Sequence, residues 1–317
     1  MISKTERDKN NHLHIYYFVR SLLRNQRVFL SLVMNKLSIL IFLVFLMVSC
    51  KEKKVNLGSD SSFEIKKNVS YGNDPEQEMD LYIPTKPNKD KDVFIMIHGG
   101  GWRSGNKSEI SLLTFSMMKK FPNSVFANIN YRLASNKRFA IPNQTDDIND
   151  VILYLEKKLQ YKPRFILIGN SAGAHLSILY AYKSDKGKKV KAAVNIVGPS
   201  DLSDANFKNY SDYYFVEKNL VDPEKIPSTI SKENFASPVK WINTNTPPTI
   251  SFYGNNDQVI PLSQKVILDS TLNVNHVENK SFEFNGGHLD WNKESNIKFL
   301  INKIDEFLKQ IDKNKTL

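Results

Sequence analysis

Five residues constrain this chain more than any others: Gly169-Asn170-Ser171-Ala172-Gly173, set between an apolar run at 165–168 and a helical pattern over 172–182. A chain that turns from strand to helix through one residue forces that residue into strained backbone angles. Side chains two positions either way would collide there, and glycine at 169 and 173 removes the collision. Ser171 is therefore expected at the carboxyl end of a buried strand, its hydroxyl held outward over a helix N-terminus. Open parallel sheets place their sites at such strand ends.

The rest of the chain repeats the alternation. Residues 67–71 and 79–83 read as short strands, and 92–97 (with Val93-Phe94-Ile95-Met96-Ile97) as a buried one. Further strands are expected at 125–131, 165–168, 190–197, 249–253 and 280–284. Helical spacing marks 107–120, 148–159, 172–182, 262–272 and 297–311. Strands that are apolar throughout, with helices between them, predict an α/β fold: a mostly parallel central sheet with helices on both faces. The one long irregular stretch, about 201–246, is rich in aromatics (Phe207, Tyr210, Tyr213, Tyr214, Phe215, Trp241) and reads as a cap-like insertion. Those aromatics are expected to pack as a cap in preference to forming a substrate platform.

A second constellation, His98-Gly99-Gly100-Gly101-Trp102, directly follows the strand ending at 97. Acyl transfer builds negative charge on a former carbonyl oxygen, and glycines let backbone N–H groups approach it unhindered. The expected donors are Gly100 or Gly101 together with Ala172, the residue after the serine. Trp102, which closes the loop, is expected to touch substrate. A phosphate-cradling loop is the other use of such glycines, but the Gly-x-Gly-x-x-Gly and Walker spacings are both missing.

A serine hydroxyl needs a base within hydrogen-bond reach. His288, in Gly286-Gly287-His288 after the strand at 280–284, occupies a strand's carboxyl end; His175 and His276 are the remaining choices. The imidazole needs an acid to fix its tautomer. Asp257 follows the strand at 249–253; Asp201 is its runner-up, and Asp290 lies too close to His288 in sequence to orient it easily. No Cys/His cluster has metal-ligand spacing, which argues against a zinc hydrolase.

The formal net charge is +11, but residues 1–49 alone carry seven basic residues against two acidic ones. No block of five like charges and no basic run interleaved with aromatics appears, which argues against a nucleic-acid partner. The single cysteine, Cys50, excludes an intrachain disulfide. Met34-Asn35-Lys36 opens a charged start, an apolar run fills 37–48, and Met47-Val48-Ser49-Cys50 closes it. That layout predicts a signal peptide over 1–49, with the true start at Met34. The run is short for a membrane-spanning anchor. Its end resembles a bacterial lipobox, which implies lipidation of Cys50, a polar tether to about residue 65, and a catalytic domain over 66–317. The enzyme would then be a membrane lipoprotein of the cell envelope, periplasmic or surface-facing. Nothing in the sequence speaks to its oligomeric state.

From about residue 66 to 311 the chain resembles the α/β-hydrolase esterases with an HGGGW loop, the carboxylesterases and hormone-sensitive-lipase-like enzymes, and the subfamily of acetylxylan and feruloyl esterases. Tyr71 with Asp80-Leu81-Tyr82-Ile83-Pro84 is similar to that group's entry hairpin, and Asn130-Tyr131-Arg132-Leu133 to the strand after its first helix. Asn170-Ser171-Ala172-Gly173-Ala174-His175 resembles its serine turn, Ala236-Ser237-Pro238 the segment before the acid strand, and Asp257 with Val259-Ile260-Pro261 its acid loop. Asn170 stands where many relatives carry Asp, Glu or His, and Ala174 replaces a common glycine. The resemblance implies a serine ester hydrolase working through an acyl-enzyme with no cofactor, with a small-molecule or glycan-linked ester as substrate and acetyl or feruloyl groups as the acyl parts. The same serine turn also resembles kynurenine formamidases, so an amide substrate stays open. A non-catalytic relative used for binding would be expected to lack one of Ser171, Asp257 and His288.

Overall fold

The computed structural model describes residues 53–56, 62–85 and 92–314. The expected signal segment, the Met34 start and the lipidated Cys50 lie outside the described residues.

Among the described residues nine strands form one sheet: β1 (Lys53–Asn56), β2 (Ser62–Ser70), β3 (Glu78–Pro84), β4 (Val93–Ile97), β5 (Val125–Ile129), β6 (Phe165–Asn170), β7 (Val190–Ile196), β8 (Thr249–Gly254) and β9 (Asn279–Phe284). Their order across the sheet is β1-β2-β3-β5-β4-β6-β7-β8-β9. The first three pair antiparallel down to β5, and every later pairing is parallel. The crossing order puts β4 and β6, which carry the glycine loop and the serine turn, side by side at the centre.

Alternation along the central strands sends side chains to two cores. Val93, Ile95, Ile97, Phe165 and Leu167 face helices α2 (Asn143–Leu159), α3 (Ala172–Leu179) and α6 (Ser263–Val274). Phe94, Met96, Ile166 and Ile168 face α1 (Ser111–Lys120) and α7 (Glu294–Asn314). With both faces covered, all five residues of β4 are buried, which is why it reads as one unbroken apolar run. Each such aliphatic or aromatic side chain contributes about 1.5–3 kcal/mol on burial.

The sheet begins earlier than the expected tether allows. Residues 53–56 form an edge strand on β2, and β2 itself starts at Ser62 instead of near 67. The segment Lys53-Lys54-Val55-Asn56 has no apolar run to announce it, because an edge strand needs only backbone pairing on one side and tolerates lysine. Helix α2 likewise starts at Asn143, five residues ahead of the first apolar periodic position at Ile148. Its opening turn is polar yet packed: Gln144 and Asp147 are fully buried. Asp147 accepts from Arg132 N at 2.7 Å, Arg132 Nε at 2.7 Å and Gln77 Nε2 at 2.7 Å.

The 201–246 insertion carries α4 (Tyr213–Asn219), α5 (Lys232–Ala236) and three short 3-10 turns. Most of its aromatics pack inward, as expected of a cap. Phe207, Tyr213, Phe215 and Phe235 are buried. The Tyr213 hydroxyl donates to Leu202 O at 2.8 Å. Tyr214 is left exposed and Tyr210 half-buried.

Candidate active site

Ser171 sits between β6 and α3 at φ 52° and ψ −123°, the strained conformation the turn demands. Gly173 explains why the turn can form. A Cβ at that position would lie 2.2 Å from Ile97 O and 2.3 Å from His98 O, so the first turn of α3 rests directly on the start of the glycine loop. The Ser171 N–H donates to Ile196 O at 2.8 Å, which fixes the turn to β7 as well.

Three expected residues meet here. His288 Nε2 lies 2.9 Å from Ser171 Oγ, and His288 Nδ1 lies 2.8 Å from Asp257 Oδ2. Asp257 has a fully buried side chain. Its other oxygen, Oδ1, accepts from Val259 N at 2.8 Å and Ile260 N at 2.9 Å, so the carboxylate is aimed from both ends. A hydroxyl, an imidazole and a carboxylate in this chain can move one proton from the serine and stabilise the imidazolium that results.

The alternatives lie elsewhere. His276 is exposed beyond the end of α6. Asp290 accepts from Gly287 N at 2.9 Å and pairs with Lys293, contacts that hold its carboxyl below the usual range. Asp201 accepts from Ser203 and Ser237. His175 is fully buried on α3: Nδ1 accepts from Trp102 Nε1 at 3.1 Å, and Nε2 donates to Ala236 O at 2.8 Å. Burial lowers its pKa to about 4 and keeps it neutral.

The glycine loop is held from several sides. Tyr131 Oη donates to His98 O at 2.9 Å and stacks on the His98 ring at 4.4 Å between centroids. Burial of that imidazole lowers its pKa to about 4. Gly100 adopts φ +107°, and a Cβ there would stand 2.0 Å from Ser104 O. Gly99 packs on the serine turn, its Cβ position 3.3 Å from the Ser171 Cβ. No hydrogen bond among the described residues takes up the N–H groups of Gly100, Gly101 or Ala172. Fixed, unpaired N–H groups beside a serine are what a developing oxyanion requires.

Trp102 does not stand where the sequence suggests. It is only 3 % exposed, and its indole meets the His175 ring edge-on at 5.3 Å between centroids. Its backbone lies at φ 65°, rare for a bulky residue, and its carbonyl accepts from Gln144 Nε2 at 2.6 Å and Ala134 N at 2.9 Å. Trp102 thus anchors the loop to α3 and offers no face to a substrate. Sequence reasoning missed Gln144 and gave Tyr131 no role. The signal for Tyr131 was its place in the Asn-Tyr-Arg-Leu run; for Gln144 there was none.

A model of the BD-FAE family matches residues 79–272. Esterase LipC of Mycobacterium tuberculosis is 28% identical over 224 residues, 63% of this chain and 53% of its own length. The chain spans about half the length of the esterases it matches. Kynurenine formamidase avaC of Aspergillus versicolor is 26% identical over 247 residues, 64% of this chain and 85% of that protein. Among solved structures, a truncated carbohydrate esterase from gut microbiota superposes with a TM-score of 0.61 at 19% identity, over 80% of this chain and 99% of that one. That likeness shows the α/β-hydrolase fold.

Proposed function

The chain belongs to the BD-FAE family, and from that premise we propose that it hydrolyses carboxylic esters through Ser171, His288 and Asp257. The observation that carries the proposal is the unbroken hydrogen-bond chain Asp257–His288–Ser171 beside the unpaired N–H groups of the glycine loop.

Ser171 Oγ attacks the ester carbonyl while His288 Nε2 takes its proton. Asp257 holds the imidazole in the tautomer with its proton on Nδ1 and stabilises the imidazolium. The tetrahedral oxyanion forms against the N–H groups of Ala172 and of Gly100 or Gly101, each such donor being worth about 10²–10³ in rate. His288 then returns the proton to the leaving alcohol. Water, activated by the same imidazole, attacks the acyl-enzyme and frees the acid, and Ser171 is regenerated.

The carbohydrate esterase among the structural neighbours supports a glycan-linked ester as substrate, with an acetyl or feruloyl acyl group. An envelope lipoprotein, anchored through Cys50, would meet such substrates outside the inner membrane. The formamidase relative, which this chain covers over most of its length, supports aryl formamides as a second substrate class for the same serine chemistry.

The test compares p-nitrophenyl acetate and an aryl formamide with wild type and Ser171→Ala. Ester turnover abolished by the substitution is the expected result. Formamide turnover without ester turnover would shift the reading to an amidase. A folded wild type inert toward both would make the site one for binding only.

A further inference from the structure

Helices α1 and α7 cover the same face of the sheet, and Lys120 of one pairs with Asp305 of the other at 2.9 Å. On the solvent side of their seam a groove of about 670 Å³ stays open. That volume falls within the roughly 300–1,000 Å³ of small-molecule sites. One stripe of each helix lines it: Leu112, Ser116 and Lys119 on α1, and Ile297, Lys298 and Ile301 on α7. Residues three or four apart share a helix face, so the groove runs along both helices for about two turns, roughly 10 Å.

The lining is apolar with a basic rim. Leu112 is 58 % exposed, and one exposed leucine alone says little. Here it shares a concave wall with two isoleucines and with Lys119, Lys120 and Lys298. Lysines in such a place lay their methylene stems on apolar surface and keep the ammonium in water. The charges do not balance. Lys298 is paired with Glu294 at 2.6 Å and Lys120 with Asp305 at 2.9 Å, whereas Lys119 has neither a hydrogen bond nor an ion pair among the described residues. A polyanion finds no second uncompensated cation in this lining, and a neutral alkane leaves the one charge unused. An alkyl chain carrying a single negative charge matches both features.

We propose that this groove is a binding site for the anion of a medium-chain fatty acid. The alkyl chain lies along Leu112, Ile297 and Ile301, and the carboxylate pairs with Lys119. The site is separate from the serine: α1 and α7 pack on one core of the sheet, and α3, which starts after Ser171, packs on the other. It therefore does not depend on the ester-hydrolase reading.

The test titrates the full chain calorimetrically with sodium decanoate below its micelle concentration. Decyltrimethylammonium, the same chain with the opposite charge, is the comparison. Wild type is expected to bind decanoate more tightly than the cation by about tenfold or more. Lys119→Glu is expected to abolish that preference and to lower decanoate affinity about tenfold. Leu112→Asp, which removes apolar contact and adds a like charge, is expected to lower it by about the same factor. Both positions are exposed, and an acidic residue in the first turn of α1 suits the helix dipole, so an unchanged Tm accompanies the loss. The site is overturned if decanoate does not bind, or binds no better than the cation. It is equally overturned if neither substitution changes decanoate affinity, which would seat the ligand elsewhere on the chain.

Discussion

Gly173 and Ile97 touch so closely that a Cβ on the glycine would stand 2.2 Å from the Ile97 carbonyl oxygen. The contact joins the first turn of the helix after Ser171 to the strand end that launches the glycine loop, so the serine and the loop's N–H groups are set by one packing event. Gly173→Ala must push the two apart, because both partners are backbone and cannot swing away. Overpacking of this kind costs about 1–3 kcal/mol, and more where nothing yields. The expected outcome is a lowered Tm together with a fall in turnover of at least tenfold in the fraction that remains folded. A variant with wild-type Tm and turnover would mean that the loop and the serine are positioned independently.

The carboxylate of Asp257 does two jobs with two oxygens: Oδ2 meets His288 and Oδ1 caps the N–H groups of Val259 and Ile260. Asp257→Asn can keep the second job by leaving its oxygen at the Oδ1 site. Its amide then faces His288 Nδ1 as a donor and turns the imidazole to the wrong tautomer. Turnover is expected to fall by roughly 10³–10⁴, the scale seen when a triad acid is neutralised, with Tm changed by only a few degrees. Retention of more than about a tenth of the activity would move the acid's role to another carboxylate.

Much of this site can be read along the chain because its three groups each follow an apolar strand: Ser171 after β6, Asp257 after β8 and His288 after β9. A buried parallel strand announces itself by composition, and the residue at its carboxyl end is then placed without knowing any contact. Trp102 fails that logic. Its strand predicts where the backbone is, but the direction of the indole depends on a positive φ and on His175, which lies 73 residues away. The same holds for the opening of α2, where the Gln144 amide nitrogen donates to the Trp102 and Arg132 carbonyls and the Asp147 carboxylate accepts from Gln77 and Arg132, groups far off in sequence. Polar residues buried by partners, and strands held only by an edge, leave no hydrophobic period to find.

Trp102 also separates anchoring from substrate contact experimentally. Trp102→Phe keeps a ring in the pocket but removes the donor to His175 Nδ1, leaving a buried acceptor unpaired. The cost is expected at about 1–3 kcal/mol, a Tm decrease of about 2–4 °C per kcal/mol in a domain of this size. KM for a short-chain ester should stay near the wild-type value, since the ring faces α3. A rise in KM with unchanged Tm would return Trp102 to the substrate.

His98 and His175 make acid the weak direction for this fold. Burial lowers both from an ordinary 6.5 to about 4, so each is neutral in the native protein and gains a proton near 6.5 once unfolded. Below 6.5 the unfolded chain therefore binds more protons than the native one, and stability falls with pH until about 4, where the native groups also protonate. The loss for the pair is on the order of a few kcal/mol across that window. Urea midpoints measured at intervals from about pH 7 to about pH 4.5 should decrease steadily. His175→Gln, which can replace both hydrogen bonds without titrating, should flatten about half of that slope. A wild-type midpoint constant over the window would show that neither imidazole is held neutral by the fold.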